Sequence, residues 1–209
     1  MDAWKVGLIG QAGVGKTALA DSIVRDPTTE DIRYMKQMVV DNKMCFVEAE
    51  DNVLHGTCQA LTIADVTSSK HPTEDPDPAL PEPLVLNSEA KGFLLMYSVS
   101  NRQSFELIQS RYHPFLTSKI GAHVPIILVG NKNDQQYLRE VTKEEGQALA
   151  KELGCGFIET SAKTAMNVER VFVMLVRLLR AQRLAYGDGS DGNPSSRWKF
   201  KGCLKCILM

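Results

Sequence analysis

The string VGLIGQAGVGKT at residues 6–17 determines the expected fold of this chain. It begins with apolar residues typical of a buried strand, passes through a glycine-rich loop of the form Gly-x-x-x-x-Gly-Lys-Thr, and runs into a helix-prone stretch rich in alanine and leucine. Glycines let backbone N–H groups converge on phosphate oxygens, and a helix starting near Lys16 adds the positive end of its dipole. The string therefore predicts a phosphate-binding loop, and its two flanks disfavour a chance glycine-rich turn.

Each residue type in this loop suits one part of a nucleotide phosphate chain. Lys16 is expected to reach the β and γ phosphates and is the candidate catalytic residue, while the hydroxyl of Thr17 is expected to bind Mg²⁺. Ala12 stands where glycine would be freer, and its methyl is expected to crowd the γ-phosphate, which favours slow hydrolysis over failed binding. The candidate phosphate-binding residues are Gly13, Val14, Gly15, Lys16, Thr17 and Ala18.

Two later strings predict a guanine pocket. The apolar run at 125–129 has the character of a strand buried on both faces, and it delivers NKND (131–134) to its carboxyl end, where open α/β sheets bind ligands. The carboxylate of Asp134 can accept two donors from one guanine edge, a pair that adenine does not supply. The string ETSAK (159–163) follows the next predicted strand. The candidate guanine-binding residues are Asn131, Lys132, Asp134, Ser161, Ala162 and Lys163.

Three of these residues have distinct expected roles. The aliphatic stem of Lys132 is expected to cover the face of the base. Asn131 is expected to tie neighbouring loops together, and the backbone N–H of Ala162 is expected to donate to the guanine carbonyl oxygen.

In the order and spacing of these strings the chain resembles the small GTPases, specifically the Ras subfamily, over about residues 1–50 and 90–185. The resemblance implies an α/β P-loop fold with a mostly parallel six-stranded sheet, flanking helices and one antiparallel edge strand. It also implies GTP or GDP and Mg²⁺ as ligands, and effector, exchange-factor and GTPase-activating proteins as partners. The residues that resemble the family's effector loop are Asp26, Pro27, Thr28, Thr29, Glu30 and Asp31.

The chain departs from the family pattern at both switches. The family's Asp-x-x-Gly-Gln string is missing: Asp51 matches its aspartate, which helps hold Mg²⁺ through water, but Asn-Val-Leu follows, so no glutamine is placed to orient the attacking water. The first switch is shorter than the family's. A helix over 16–25 would carry the chain roughly 13–15 Å from the phosphates, so either that helix is shorter or Thr28 does not reach the metal.

The expected domain is a G domain over 1–185 with an irregular insertion at about 51–90, followed by a flexible tail over 186–209. Residues 71–83 hold five of the nine prolines with four acidic residues, a composition typical of an extended or disordered loop. Three explanations stay open for 51–90: a genuine insertion, a degenerate switch, or an error in the gene model.

The expected secondary structure alternates between strands and helices. Along the helix at 167–183, apolar side chains recur on one face, which predicts core packing. The predicted strands lie near 4–9, 34–40, 43–49, 92–99, 125–130 and 155–159, and the predicted helices near 16–24, 102–118, 143–153 and 167–183.

The C-terminus has the form of a lipid attachment signal. It reads Cys206-Ile-Leu-Met209, in which the final methionine favours a farnesyl group on Cys206. Cys203 is placed for a second, reversible palmitoyl chain, and four lysines and arginines at 197–205 add attraction to anionic lipid. These features predict attachment to the cytoplasmic face of the plasma membrane or of an endomembrane.

Composition narrows the classes of protein to which the chain could belong. At 209 residues and 44% hydrophobic content the chain can bury one α/β core, and a net charge of −1 gives no reason to expect a nucleic-acid partner. Neither a signal peptide nor a membrane-spanning run is evident. Five cysteines without scaffold spacing favour a reduced, cytosolic setting.

Three functions remain after the sequence is read. The first is a GTP/GDP switch in signal transduction that hydrolyses GTP to GDP. The second is a membrane-tethered relative that binds guanine nucleotide and hardly turns it over, favoured by Ala12 and the missing glutamine. The third, a P-loop nucleoside or nucleotide kinase, shares the phosphate loop but has no use for NKND, ETSAK or a prenylation signal.

Overall fold

The architecture is a six-stranded sheet with helices on both faces. The computed structural model describes residues 2–22, 34–51, 89–120 and 124–186. The strands are β1 (Asp2–Ile9), β2 (Tyr34–Val40), β3 (Lys43–Asp51), β4 (Gly92–Ser98), β5 (Ile126–Asn131) and β6 (Gly156–Glu159). The helices are α1 (Lys16–Asp21), α2 (Arg102–Leu107), α3 (His113–Ile120), α4 (Lys143–Leu153) and α5 (Val168–Tyr186).

The strand order confirms the predicted α/β class and topology. The order is β2-β3-β1-β4-β5-β6, with β2 antiparallel to β3 and every other pair parallel. Every residue of β4 is buried, as expected for a central strand covered on both faces. The parallel strands bring their carboxyl ends to one edge of the sheet, and the loops after β1, β5 and β6 carry the three predicted nucleotide strings there.

Two hydrophobic cores hold the layers together. On one face, Leu8 and Leu94 belong to a core that includes Phe172 and Leu175 of α5. On the other face, Tyr97 packs in a second core between α4 and the α2–α3 segment. The predicted apolar face of α5 is confirmed, since these residues of the stripe are fully or nearly buried: Val168, Val171, Phe172, Leu175 and Leu179.

Three helices differ from their predicted bounds. α5 runs to Tyr186, beyond its predicted end near residue 183. α1 ends at Asp21 with a turn at Ser22. The helix is therefore shorter than the 16–25 span considered for the first switch, which agrees with the first of the two alternatives. The single helix expected over 102–118 is instead α2 and α3 joined by a wider π turn, Ile108–Tyr112. Pro114 follows that turn, and because it has no N–H and its ring crowds the preceding turn, regular α-helical hydrogen bonding cannot run through this segment.

Some predicted features lie outside the described residues. These are the effector-like loop at 26–31 with Thr28, the insertion from residue 52 to 88, and the tail with Cys203 and Cys206. Asp51 is the last residue of β3, and its backbone pairs with Leu8 in β1.

Candidate nucleotide-binding site

The phosphate-loop string forms a tight loop between β1 and α1. Gly13 and Gly15 adopt the left-handed region at φ +80° and +97°, a conformation that a side chain would strain. Gly10 has a different constraint, because a Cβ there would collide with the carbonyl oxygen of Met96 in β4. Apart from Gly13 and its two neighbours, no atom of the described residues lies within 4 Å of the Cβ position at Gly13, so the described part of the chain leaves that side of the loop open.

The side-chain amine of Lys16 lies beside the phosphate loop. The Nζ atom donates to the carbonyl oxygens of Gly10, at 3.0 Å, and Gln11, at 3.2 Å. The side chain therefore folds back over the loop instead of extending along α1. Thr17 is the next residue of α1, in the first turn of the helix.

Asn131, at the end of β5, joins the phosphate loop to the base strings. Its side chain is 1% exposed, and its Nδ2 donates to the carbonyl oxygen of Val14 at 2.9 Å. Its Oδ1 accepts from the hydroxyl of Thr160 at 3.1 Å and, at 3.4 Å, from the backbone N–H of Ala162. The predicted tie between loops is confirmed. The close approach also explains Gly15, where a Cβ would collide with the Asn131 amide.

Asp134 is oriented by the second base string. The buried hydroxyl of Ser161 donates to Asp134 Oδ1 at 2.6 Å, and it accepts from the backbone N–H of Thr164 at 3.2 Å. This leaves the second carboxylate oxygen of Asp134 with no hydrogen bond to another described residue. An acidic side chain fixed in this way can present an acceptor edge to a base.

The NKND turn has an unusual backbone. Lys132 has a φ of +65°, which is rare for a residue with a side chain. The turn is held by two backbone bonds: the N–H of Asn133 donates to Thr160 at 3.1 Å, and the N–H of Gln135 donates to Lys132 at 2.9 Å. The first of these bonds links NKND directly to ETSAK.

The structure adds one residue that the sequence reasoning missed. Arg139 donates from both terminal nitrogens to the carboxylate of Glu159, at 2.7 and 3.2 Å, and also to the side-chain oxygen of Asn133. The hydrogen bonds to Glu159 raise the pKa of the Arg139 guanidinium. No spacing rule connects an arginine five residues after Asp134 with the start of ETSAK, so only the fold reveals the pair.

The predicted residues thus gather at one edge of the sheet, with Lys163 in the turn that follows Ala162. Asn131 contacts the loop of Gly13–Gly15 and the turn of Ser161–Ala162, so the two halves of the site are built as one unit. Phosphates need backbone N–H groups and a lysine, and a guanine edge needs a fixed carboxylate. The residues present fit a guanine nucleotide.

Comparison with known proteins agrees with this geometry. A family model described as the Ras family matches residues 83–181, which include both base strings. Ras-like protein 1 of Pyricularia oryzae is 38% identical over 204 residues, covering 86% of this chain and 76% of the relative. The chain belongs to the Ras family.

Other relatives of this Ras-family chain extend the match. Ras-like protein B of Aspergillus fumigatus is 36% identical, and the alignment covers all of both chains, the phosphate loop included. Protein ras-2 of Neurospora crassa is 36% identical, over 86% of this chain and 80% of the relative. The protein is therefore a Ras-like GTP-binding protein.

The helices in the described part of this Ras-family chain carry no membrane span. Within 2–22, 34–51, 89–120 and 124–186, none combines the length and the apolar character needed to cross a bilayer.

Proposed function

We propose that this Ras-family protein is a membrane-anchored switch that alternates between GTP and GDP and signals through the difference. The observation that carries the proposal is the convergence on Asn131, which fixes the phosphate loop and the two base strings in one frame. A nucleotide spanning the frame would bind the loop N–H groups and Lys16 through its phosphates and Asp134 through its base.

Mg²⁺ belongs to the proposal as the partner of the phosphates. The Thr17 hydroxyl, in the first turn of α1, is the proposed direct ligand, and Asp51 is the proposed ligand through water. Asp51 pairs with Leu8, two residues before Gly10, so β3 ends beside the phosphate loop. Thr28 is proposed as a third contributor. The ion supplies charge neutralisation for the phosphate oxygens.

Hydrolysis of GTP is proposed to be slow. No glutamine follows Asp51 at the family's spacing, so no residue of this chain is assigned to orient the attacking water. Ala12 is exposed in the phosphate loop, where its methyl would crowd the γ-phosphate. These two features favour the second candidate function, a nucleotide-binding module with little turnover. Lys16 remains the one residue proposed to stabilise charge on the transferring phosphoryl group.

Membrane attachment and partners complete the proposal. Cys206 is the proposed prenylation site and Cys203 the second lipid site, at the cytoplasmic face of the plasma membrane or an endomembrane. Residues 26–31 are proposed to contact effectors, and exchange factors and GTPase-activating proteins are proposed regulators. Membrane flotation of Cys206→Ser against the parent tests the anchor, and equal membrane fractions would refute it.

Competition binding tests the nucleotide assignment. The full chain should bind fluorescent GDP, GTP should displace it, and ATP should not, because Asp134 accepts from guanine donors that adenine lacks. Asp134→Ala should lose binding while keeping its fold by circular dichroism. Equal displacement by ATP and GTP would refute the guanine pocket and revive a nucleotide kinase.

Single-turnover hydrolysis separates the two remaining functions. Protein preloaded with GTP is mixed with Mg²⁺, and phosphate release is followed with time. Release abolished by Lys16→Ala supports a hydrolytic switch. No release above the buffer rate supports the nucleotide-binding module.

A further inference from the structure

The network around Arg139 connects the two strings that hold the base. Arg139 lies after the NKND turn, and Glu159 is both the end of β6 and the first residue of ETSAK. The two side chains are 18% and 9% exposed, so their charges are largely withdrawn from water. Two parallel N–H···O bonds from a planar guanidinium fix direction as well as distance, which a lysine ammonium does not do.

Asn133 is the point where this network reaches the NKND turn. It lies between Lys132 and Asp134, and its Oδ1 accepts from Arg139 and, at 2.7 Å, from Gln136. Its Nδ2 lies 3.4 Å from the sulfur of Met166, beyond ETSAK. Asn133 therefore belongs to the first string and bonds to the second through its backbone N–H, which donates to Thr160 at 3.1 Å, while making no proposed contact with the nucleotide.

The Arg139 network stabilises the strained backbone of the NKND turn. Lys132 is held in the left-handed region, a conformation that costs on the order of 1 kcal/mol for a residue with a Cβ. Such a turn persists only when its surroundings fix it. Asn133, the next residue, is fixed by Arg139, Gln136 and Thr160 together.

We propose that Arg139 is a positioning residue that sets the rate of nucleotide release, by locking Asn133 of the NKND turn to Glu159 of ETSAK. The inference rests on the proposed guanine-nucleotide site and deepens it. Asp134 from one string and Ser161–Lys163 from the other enclose the base, so the base leaves when the strings separate. The Arg139 network resists that separation.

Dissociation kinetics test the proposal. The full chain is loaded with N-methylanthraniloyl-GDP, excess unlabelled GDP is added, and the dissociation rate constant koff is measured. Arg139→Ala should raise koff about tenfold with little change in the association rate, because the pair lost is largely desolvated. Arg139→Lys should lie between Ala and the parent. Arg177→Ala is the matched control, since Arg177 makes a bidentate pair with Asp41 far from the site and should leave koff unchanged.

A double-mutant cycle tests the route through Asn133. If Arg139 acts through that residue, Asn133→Ala should also raise koff, and the double variant should fall well short of the product of the single effects. A koff for Arg139→Ala within twofold of the parent would overturn the proposal. So would multiplicative effects of the two substitutions.

Hydrogen exchange tests the proposal even if a variant or the parent protein does not bind labelled GDP. In the parent and Arg139→Ala, amide exchange is compared over 131–134 and 159–166, with α5 as internal reference. Faster exchange confined to these two segments supports the network, and equal exchange refutes it. A parent that binds no GDP refutes the proposed function instead, and the exchange comparison still decides the role of Arg139.

Discussion

Some polar side chains at the sheet's carboxyl edge have roles that the sequence predicted, and others have contacts that only the fold reveals. Asn131 uses both ends of its amide, which agrees with the role predicted from the sequence. The pairing of Arg139 with Glu159 was not predicted, because it depends on loops that only the folded sheet brings together. The buried hydroxyl of Tyr97 in β4 is a separate case, because it has no hydrogen-bond partner in the described part of the chain.

Tyr97→Phe should stabilise the protein. Burial, with the Glu159 carboxylate nearby, raises the pKa of Tyr97, so the hydroxyl stays neutral but loses its hydrogen bonds to water. Removing it should increase the free energy of unfolding by about 1 kcal/mol in urea denaturation. Tyr137→Phe, at a fully exposed tyrosine, should change nothing. A marked loss of stability in Tyr97→Phe would show that the hydroxyl has a partner.

Helix boundaries were predictable where the signals are local. α4 has the predicted bounds, because Thr142 and Glu145 form a capping box at its start and Gly154 takes a left-handed φ of +68° at its end. The π turn before Pro114 was not predicted. A proline after a helical pattern signals interruption, but not which register the chain adopts.

The α4 cap should make stability depend on pH. The Thr142 backbone N–H, followed by Arg102, lowers the pKa of Glu145 from 4.5 to about 2. The carboxylate therefore stabilises the fold above pH 4.5, and this contribution is lost as the pH falls towards about 2. Glu145→Gln should melt below the parent at pH 6, and the gap should narrow below pH 4.5 and close as the pH falls through about 2. A gap that stays constant or widens on acidification would contradict the assignment.

Across the whole molecule, arginines of α5 bind the antiparallel edge of the sheet. Arg180 pairs with Asp2 at 3.0 Å and donates to the Val40 carbonyl at 2.6 Å, while Arg177 pairs with Asp41 in the β2–β3 turn. The sequence predicted the apolar face of α5 but not these contacts, since arginines on the opposite face carry no periodic signal. The structure of the two switches could not be predicted from the sequence either, because the chain departs from the family pattern there.

Arg180→Ala should therefore destabilise the protein more than Arg177→Ala. The Arg180 side chain is 15% exposed, and its removal breaks both the ion pair with Asp2 and the hydrogen bond to the Val40 carbonyl, so the expected cost is about 2 kcal/mol. Arg177 is 37% exposed in a surface pair, and its removal should cost under about 1 kcal/mol. Urea denaturation measures both variants. Equal costs would contradict a fastening role for Arg180.

Nucleotide content is the most direct test of the guanine site. The purified full-length protein is denatured, and the released nucleotide is identified by chromatography beside a reference set of adenine and guanine nucleotides. The geometry predicts GDP or GTP at close to one molecule per chain, and none from Asp134→Ala. A folded protein that releases no guanine nucleotide, and takes up none when supplied with GDP and Mg²⁺, would contradict the account.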